Sequence, residues 1–222
     1  KLTALQKLPS AIGTTELIPL QYSLAVFGDP QVQEAFQVLF QAGTAAARWV
    51  AAASESNNKM KGLGFPIFEG SSTLAPFDFL GDTLRGTLGI MKDMYRQPGK
   101  LLRALEQITP LMVNMAVSRA RPGNGPAVFI PLHKGADGFM SEAQFRKFYW
   151  PTLKAIIVGL VEEGLVPYLF AEGGYNSRLE IIKDIPPGKT VWLFDQTDMG
   201  RAKEVLGKTA CIMGNVPSSL LM

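Results

Sequence analysis

The stretch Val166-Pro-Tyr-Leu-Phe-Ala-Glu172-Gly173-Gly174 decides the fold. Six mostly apolar residues run straight into one carboxylate and two glycines. An apolar run this short, closed by a turn signal, predicts a buried parallel strand. The glycines end it and let the backbone approach a neighbour closely. A carboxylate where a buried strand meets its loop is costly unless it binds or reacts with something. The same design recurs on both sides. Ala127-Val-Phe-Ile-Pro-Leu ends in His133-Lys134-Gly135, Thr190-Val-Trp-Leu-Phe ends in Asp195, and Thr209-Ala-Cys-Ile-Met ends in Gly214-Asn215. Four successive strands thus finish in His133, Glu172, Asp195 and Asn215, and the first three are followed by helical stretches. A repeating βα unit places function at the carboxyl ends of its strands.

Composition narrows the class. A chain of 222 residues buries one sizeable core, so one domain is expected over residues 1–222. The net charge is only +3, and Arg119, Lys134, Lys154 and Arg178 fall in different elements. No basic stripe marks a nucleic-acid partner. Residues 45–53 are apolar but carry Arg48, and no run reaches the length of a membrane span. No signal-peptide pattern opens the chain. The single cysteine, Cys211, cannot form an internal disulfide, which fits a cytoplasmic location, and it reads as a small buried hydrophobe. One Cys and one His exclude a thiolate-rich zinc site within these residues. The chain begins without Met and stops just after a strand, and only about five good strands are countable against the eight of a full barrel. It reads as a piece of something longer.

The rest of the chain supports the rhythm. Asp29 caps a helix with Pro30 in its first turn, expected to run to about residue 53, with 54–61 as a polar surface turn. Residues 64–70 form a candidate strand whose end carries Glu69, as a further member of the strand-end series would. Residues 83–95 read as helical. A second helix opens at Pro98 and continues to about 120, with a kink at Pro110. Residues 121–126, Arg-Pro-Gly-Asn-Gly-Pro, are a loop. Ser141-Glu-Ala-Gln144 fits a capping box, and Pro151 should bend the helix that follows. Later helices are expected over about 176–185 and from Thr197 or Asp198 to Leu206.

Several of these residues together resemble the uroporphyrinogen decarboxylase superfamily. Ala136-Asp-Gly-Phe-Met-Ser141, with Phe145 and Tyr149-Trp-Pro151, resembles its helix start. Pro76-Phe77 through Arg85-Gly86 is similar to its "Gly-Pro-Phe, Gly" segment. Ala202-Lys203-Glu204 with Leu206-Gly207, and Gly214-Asn215-Val216 with Leu220-Leu221, resemble its late helix and its "Gly-Asn-Val, Leu-Leu" strand end. The resemblance covers most of residues 25–222. It implies a (β/α)8 TIM barrel, here incomplete and lacking N- and C-terminal parts. One branch of the superfamily holds true decarboxylases, which need no metal. The other holds methyltransferases that work with a corrinoid, cobalamin-type cofactor. The coenzyme M type of that branch carries a His-x-Cys-Gly zinc motif. Its positions match Phe170-Ala171-Glu172-Gly173 here, so Phe170 replaces the His and Glu172 replaces the Cys. The family's last zinc cysteine would lie beyond Met222. The decarboxylase branch places a tyrosine where Asp82 stands, which counts against it.

Each candidate has a plain reading beside the functional one. Glu172 is either a solvated strand-end acid or a zinc ligand, and glutamate is a competent ligand. His133 is a structural histidine or a second ligand to the same ion, since adjacent strand ends converge on one mouth. Asp137 reads as a turn or cap residue. Asp195 caps the next helix, orients substrate or acts as a base. Asn215 binds backbone or substrate. Asp82 is a candidate substrate contact. Phe77, Phe79 and Trp192 read as core, with Phe77 and Phe79 able to line an apolar mouth. An ion held by oxygen and nitrogen is a harder Lewis acid than a thiolate-bound one. The expectation is methyl transfer from a small O- or N-methyl donor, with zinc as Lewis acid, to a corrinoid on a separate partner protein. Uroporphyrinogen decarboxylation, or binding of a corrinoid or tetrapyrrole without catalysis, are the alternatives.

Overall fold

The computed structural model describes residues 24–120 and 125–221. Of the 1–29 stretch that its prolines and glycines mark as loop-like, residues 1–23 lie outside the described residues, as does most of the 121–126 loop, while Val26–Gly28 forms a 3-10 turn. The chain divides into two compact units, the first ending at Phe65 and the second beginning at Pro66.

The first unit is dominated by helix α1, Pro30–Gly62. Asp29 caps it through the Gln31 amide at 2.8 Å, and Pro30 sits in the first turn, as the sequence predicts. The expected surface turn at 54–61 is instead helical. Those polar residues are compatible with an exposed helix, and Lys59 and Lys61 suit the negative end of its dipole. Termination comes at Gly64, which takes φ +86°. No residue of α1 is buried, and Leu39, Phe40 and Trp49 are exposed.

The second unit is α/β. Five strands pair in parallel in sequence order: β1 Glu69–Ser72, β2 Ala127–Leu132, β3 Val166–Ala171, β4 Val191–Phe194 and β5 Cys211–Gly214. Consecutive neighbours in chain order are what successive βα units of a barrel produce. The β2–β3 register runs unbroken from Ala127 opposite Val166 to Leu132 opposite Ala171. β1 is shorter and later than the predicted 64–70, and Glu69 opens it rather than ending it. Pairing there depends on Gly70 and Gly125: a Cβ on Gly70 would stand 1.9 Å from the Gly125 carbonyl oxygen.

Between the strands run α2 (Pro76–Phe79), a π-helical turn (Leu80–Arg85), α3 (Gly86–Arg96) and α4 (Pro98–Arg119). After β2 come the turn Glu142–Gln144, a π-helical turn Phe145–Tyr149, and α5, Trp150–Glu162. The capping box of Ser141 and Gln144 forms as predicted. Pro110 lies on the exposed side of α4, which continues past it. Pro151 lies in the first turn of α5, and the helical stretch that opens after Ser141 passes through the π turn just before it. After β3, a 3-10 turn (Asn176–Arg178) leads into α6, Leu179–Ile182, and α7, Met199–Leu206, follows β4. Asp198 caps α7.

The strands alternate. Val128, Ile130, Leu132, Leu169, Ala171, Trp192 and Phe194 join one core with Leu105, Met112 and Ala116 of α4 and Leu153, Ile156 and Leu160 of α5. The opposite pleat, with Phe129, Tyr168, Phe170 and Leu193, is half-buried. Its aromatic rings contact one another, Phe129 with Tyr168 at 5.4 Å between centroids. Phe77 and Trp192 are buried as expected. Cys211 is not. It is exposed on β5, the last strand of the described sheet. No described helix is long and apolar enough to cross a membrane.

Candidate functional site at the strand carboxyl ends

The end of β2 meets the turn that follows α2. His133 Nδ1 lies 2.7 Å from Asp82 Oδ2, and the Lys134 ammonium bonds the other Asp82 oxygen. On its far side, His133 Nε2 faces Glu172 Oε1 at 3.9 Å. The sequence-derived pair, His133 and Glu172, therefore converges from adjacent strand ends. Asp82 stands behind the imidazole rather than apart from it. Partial burial raises the Asp82 pKa, but the bonds and charges of Lys134 and His133 outweigh this and hold it below the usual carboxylate range.

Beneath this rim lies a floor that sequence reading missed. Asp78 is fully buried on α2. Its carboxylate accepts the backbone amides of His133 (3.1 Å) and Lys134 (3.0 Å) and the Tyr149 hydroxyl (2.5 Å). Desolvation pushes the Asp78 pKa up to about 6, against the lowering pull of Tyr149, His133 and Lys134. Tyr149 and Tyr175 are held well above the usual phenol value, chiefly by burial and then by the Asp78 charge. Arg178 is buried too. It donates to the carbonyls of Gly135 (3.2 Å) and Met140, and its guanidinium stacks 4.8 Å from the Phe145 ring. Burial lowers its pKa from the ordinary guanidinium value. A signal for Asp78 existed: in Pro76-Phe-Asp-Phe79 an acid sits inside an apolar run, the same costly arrangement that singles out Glu172.

The remaining candidates stitch loop to loop. Asp195 Oδ2 accepts the Gly173 amide at 3.0 Å, directly after Glu172, while Gly173 takes φ +79°. Asn215 donates its amide to the Thr197 carbonyl, and the Thr197 hydroxyl accepts the Tyr175 amide at 3.0 Å. Asp137 lies in a turn, as expected, and its side chain crosses to another loop, accepting the Ser177 amide and hydroxyl at 3.2 and 2.7 Å. Phe79 is half-buried and lines a cleft of about 250 Å³ with Leu74, Thr83, Met112, Phe129 and Pro131.

Residues 45–222 match the sequence model of the family described as uroporphyrinogen decarboxylase (URO-D). The chain belongs to the URO-D family. A curated member, a uroporphyrinogen decarboxylase from Syntrophotalea carbinolica, is 24% identical over 150 residues, covering 68% of this chain and 42% of that protein. Among solved structures, a methyltransferase from Methanosarcina mazei superposes with a TM-score of 0.55 at 20% identity, over 68% of this chain and 43% of the other. That is a likeness of fold, and it agrees with the α/β barrel architecture. This URO-D chain spans roughly two fifths of the length of both relatives.

The rim can be tested for its fit to a zinc ion. With bonds of about 2.1 Å, two ligands of a tetrahedral ion lie roughly 3.4 Å apart. The 3.9 Å between His133 Nε2 and Glu172 Oε1 is a small side-chain adjustment away. Asp82 on Nδ1 supplies the carboxylate behind the histidine that metal-binding imidazoles usually have. Among the described residues, no group of three or more His, Cys, Asp or Glu is placed to hold an ion. The fit is to two protein ligands.

Proposed function

We propose that this URO-D chain binds a small O- or N-methylated substrate and promotes transfer of its methyl group to a corrinoid carried by a partner protein. The observation that carries the reading is the gap between His133 and Glu172. The imidazole stands between two carboxylates, with Nδ1 2.7 Å from Asp82 and Nε2 3.9 Å from Glu172. An imidazole nitrogen and a carboxylate oxygen that face each other at this distance suit a shared metal ion.

His133 and Glu172 would hold the ion. Zinc bound there supplies Lewis-acid stabilisation of charge on the oxygen or nitrogen that loses its methyl group. The chain's own residues do the rest. Asp78 fixes the backbone from which His133 projects, and Asp195 fixes the backbone just after Glu172. Asp195 is exposed at the same mouth, and in this reading it also orients substrate or takes up a proton from it. Asn215 spends one amide N–H on the Thr197 carbonyl, which leaves its second N–H and its carbonyl oxygen for substrate. Phe79 contributes an apolar wall and Asp82 a charged one.

The test is zinc content of the full-length protein and of its Glu172→Ala and His133→Ala variants. About one zinc per chain, lost in either variant, is the expected result for a catalytic ion. Demethylation of methoxy or methylamine donors with cob(I)alamin then identifies the substrate. No zinc after metal loading overturns the Lewis-acid reading. The name of the curated relative favours a second reading, decarboxylation of uroporphyrinogen. It predicts coproporphyrinogen as product without any metal. Ligand-induced stabilisation with no turnover in either assay would leave a binding role.

A further inference from the structure

Lys134 is the charged side chain that the reading above leaves without a task. It is 5% exposed, almost wholly inside the protein, although it follows directly on the exposed His133. A buried ammonium is tolerated only where it is paired. Its stem passes over Gly81 so closely that a Cβ there would stand 2.8 Å from Lys134 Cε and 3.0 Å from Cδ. The ammonium then reaches Asp82 Oδ1, and the same carboxylate turns its other oxygen to His133 Nδ1 at 2.7 Å. Gly81 and Asp82 are neighbours on one π turn, so a single element both clears the path for Lys134 and receives its charge.

We infer that Lys134 and Asp82 form a positioning couple that fixes His133 as its Nδ1–H tautomer, leaving Nε2 unprotonated toward Glu172. Which ring nitrogen of a histidine carries the proton is set by the bond the other nitrogen makes. An ionised carboxylate can only accept, so it selects the proton on Nδ1. Lys134 holds the plane of that carboxylate by bonding its second oxygen. Without Lys134, the partly exposed Asp82 side chain is free to rotate away from Nδ1. In this role the couple does not itself react with substrate. It acts through His133. The ligand role of Nε2 rests on the proposed zinc reading, but the tautomer does not.

The chain contains one histidine, which makes the test direct. Full-length protein labelled with heavy nitrogen only in histidine gives one imidazole, and a two-bond proton–nitrogen correlation spectrum in mildly alkaline buffer reads its tautomer. Wild type is expected to show the Nδ1–H form. Lys134→Met, of similar volume, is expected to populate the Nε2–H form. Asp82→Asn should do so more completely, because the amide can donate to Nδ1. Gly81→Ala, which displaces the Lys134 stem while leaving every polar group in place, should give an intermediate mixture and serves if Lys134→Met does not fold. Zinc titrations of the same samples should show affinity about 10- to 100-fold weaker in Lys134→Met. An Nε2–H wild type, or variants with the wild-type tautomer, overturns the inference. If the tautomers respond as described but no sample binds zinc, the couple stands and the Lewis-acid reading falls. If zinc binds equally to all while the tautomer never changes, the couple falls and the metal reading stands.

Discussion

Asp78 and Asp82 lie one helical turn apart, yet they serve opposite regions of the molecule. Asp78 belongs to the floor, buried among Tyr149, Phe77 and the start of the β2 loop. Asp82 belongs to the rim, partly exposed and in contact with Lys134 and His133. Burial dominates the first and raises its pKa to about 6, whereas a cation and a histidine dominate the second and lower it. The difference teaches that a carboxylate's role is set by what surrounds it, not by its place in the chain. A carboxylate surrounded by backbone amides holds a loop. One facing a histidine and a lysine ties side chains together at the rim.

The largest expected effect comes from breaking the floor. Asp78→Ala leaves two buried backbone amides and a buried hydroxyl without their acceptor. It should cost at least about 3 kcal/mol in urea unfolding. A loss below about 1 kcal/mol would show that the floor is not what holds the β2 loop.

Next is the pH dependence of that loss. Asp78 binds its proton more tightly folded than unfolded, so its contribution is complete below the unfolded value near 3.8 and is lost as pH rises through about 6. The stability gap between wild type and Asp78→Ala should therefore be widest near pH 4 and narrow by about 2 to 3 kcal/mol by pH 7. Asp82 runs the other way. Its lowered pKa contributes stability above the unfolded value, lost as pH falls through the folded one. A gap that widens from pH 4 to pH 7 would reverse the assignment of floor and rim.

A smaller effect is expected where a rim residue also holds backbone. Asp195→Ala removes one bond, to the Gly173 amide, at an exposed position. About 1 kcal/mol is expected, with faster hydrogen exchange at that amide. Unchanged exchange would release Asp195 from the loop and leave it a substrate role alone. The smallest effect belongs to the open rim. Glu172→Ala should change stability by no more than about 0.5 kcal/mol while abolishing zinc binding. A large loss of stability there would make Glu172 part of the floor.

Much of this architecture was legible in the chain. The runs ending in His133, Glu172 and Asp195 announced parallel strands, because a short apolar segment closed by glycine or a polar turn has few other solutions. The Asp29-Pro30 and Ser141-to-Gln144 starts were legible because capping is local chemistry. That His133 and Glu172 share one mouth followed from neighbouring strand ends pointing the same way. Other features were not legible. The continuation of α1 to Gly62 was hidden because polar residues are as compatible with an exposed helix as with a turn. The exposure of Cys211 is set by which elements pack on β5, and no local pattern records that. The π turn at Phe145–Tyr149, just before Pro151, had no sequence signature.

By itself, then, the sequence determined the alternation of strands and helices, the family, and which residues stand at the strand ends. These depend on spacing of a few residues and on local backbone preference. Only the tertiary structure decided that Asp78 is a buried hub, that Lys134 turns inward past Gly81, and that Asp82 stands behind His133. Those pairings join residues 51 to 71 positions apart. Local preference is blind at such a distance, and only the packing of α2 and its π turn against the end of β2 brings the charges together.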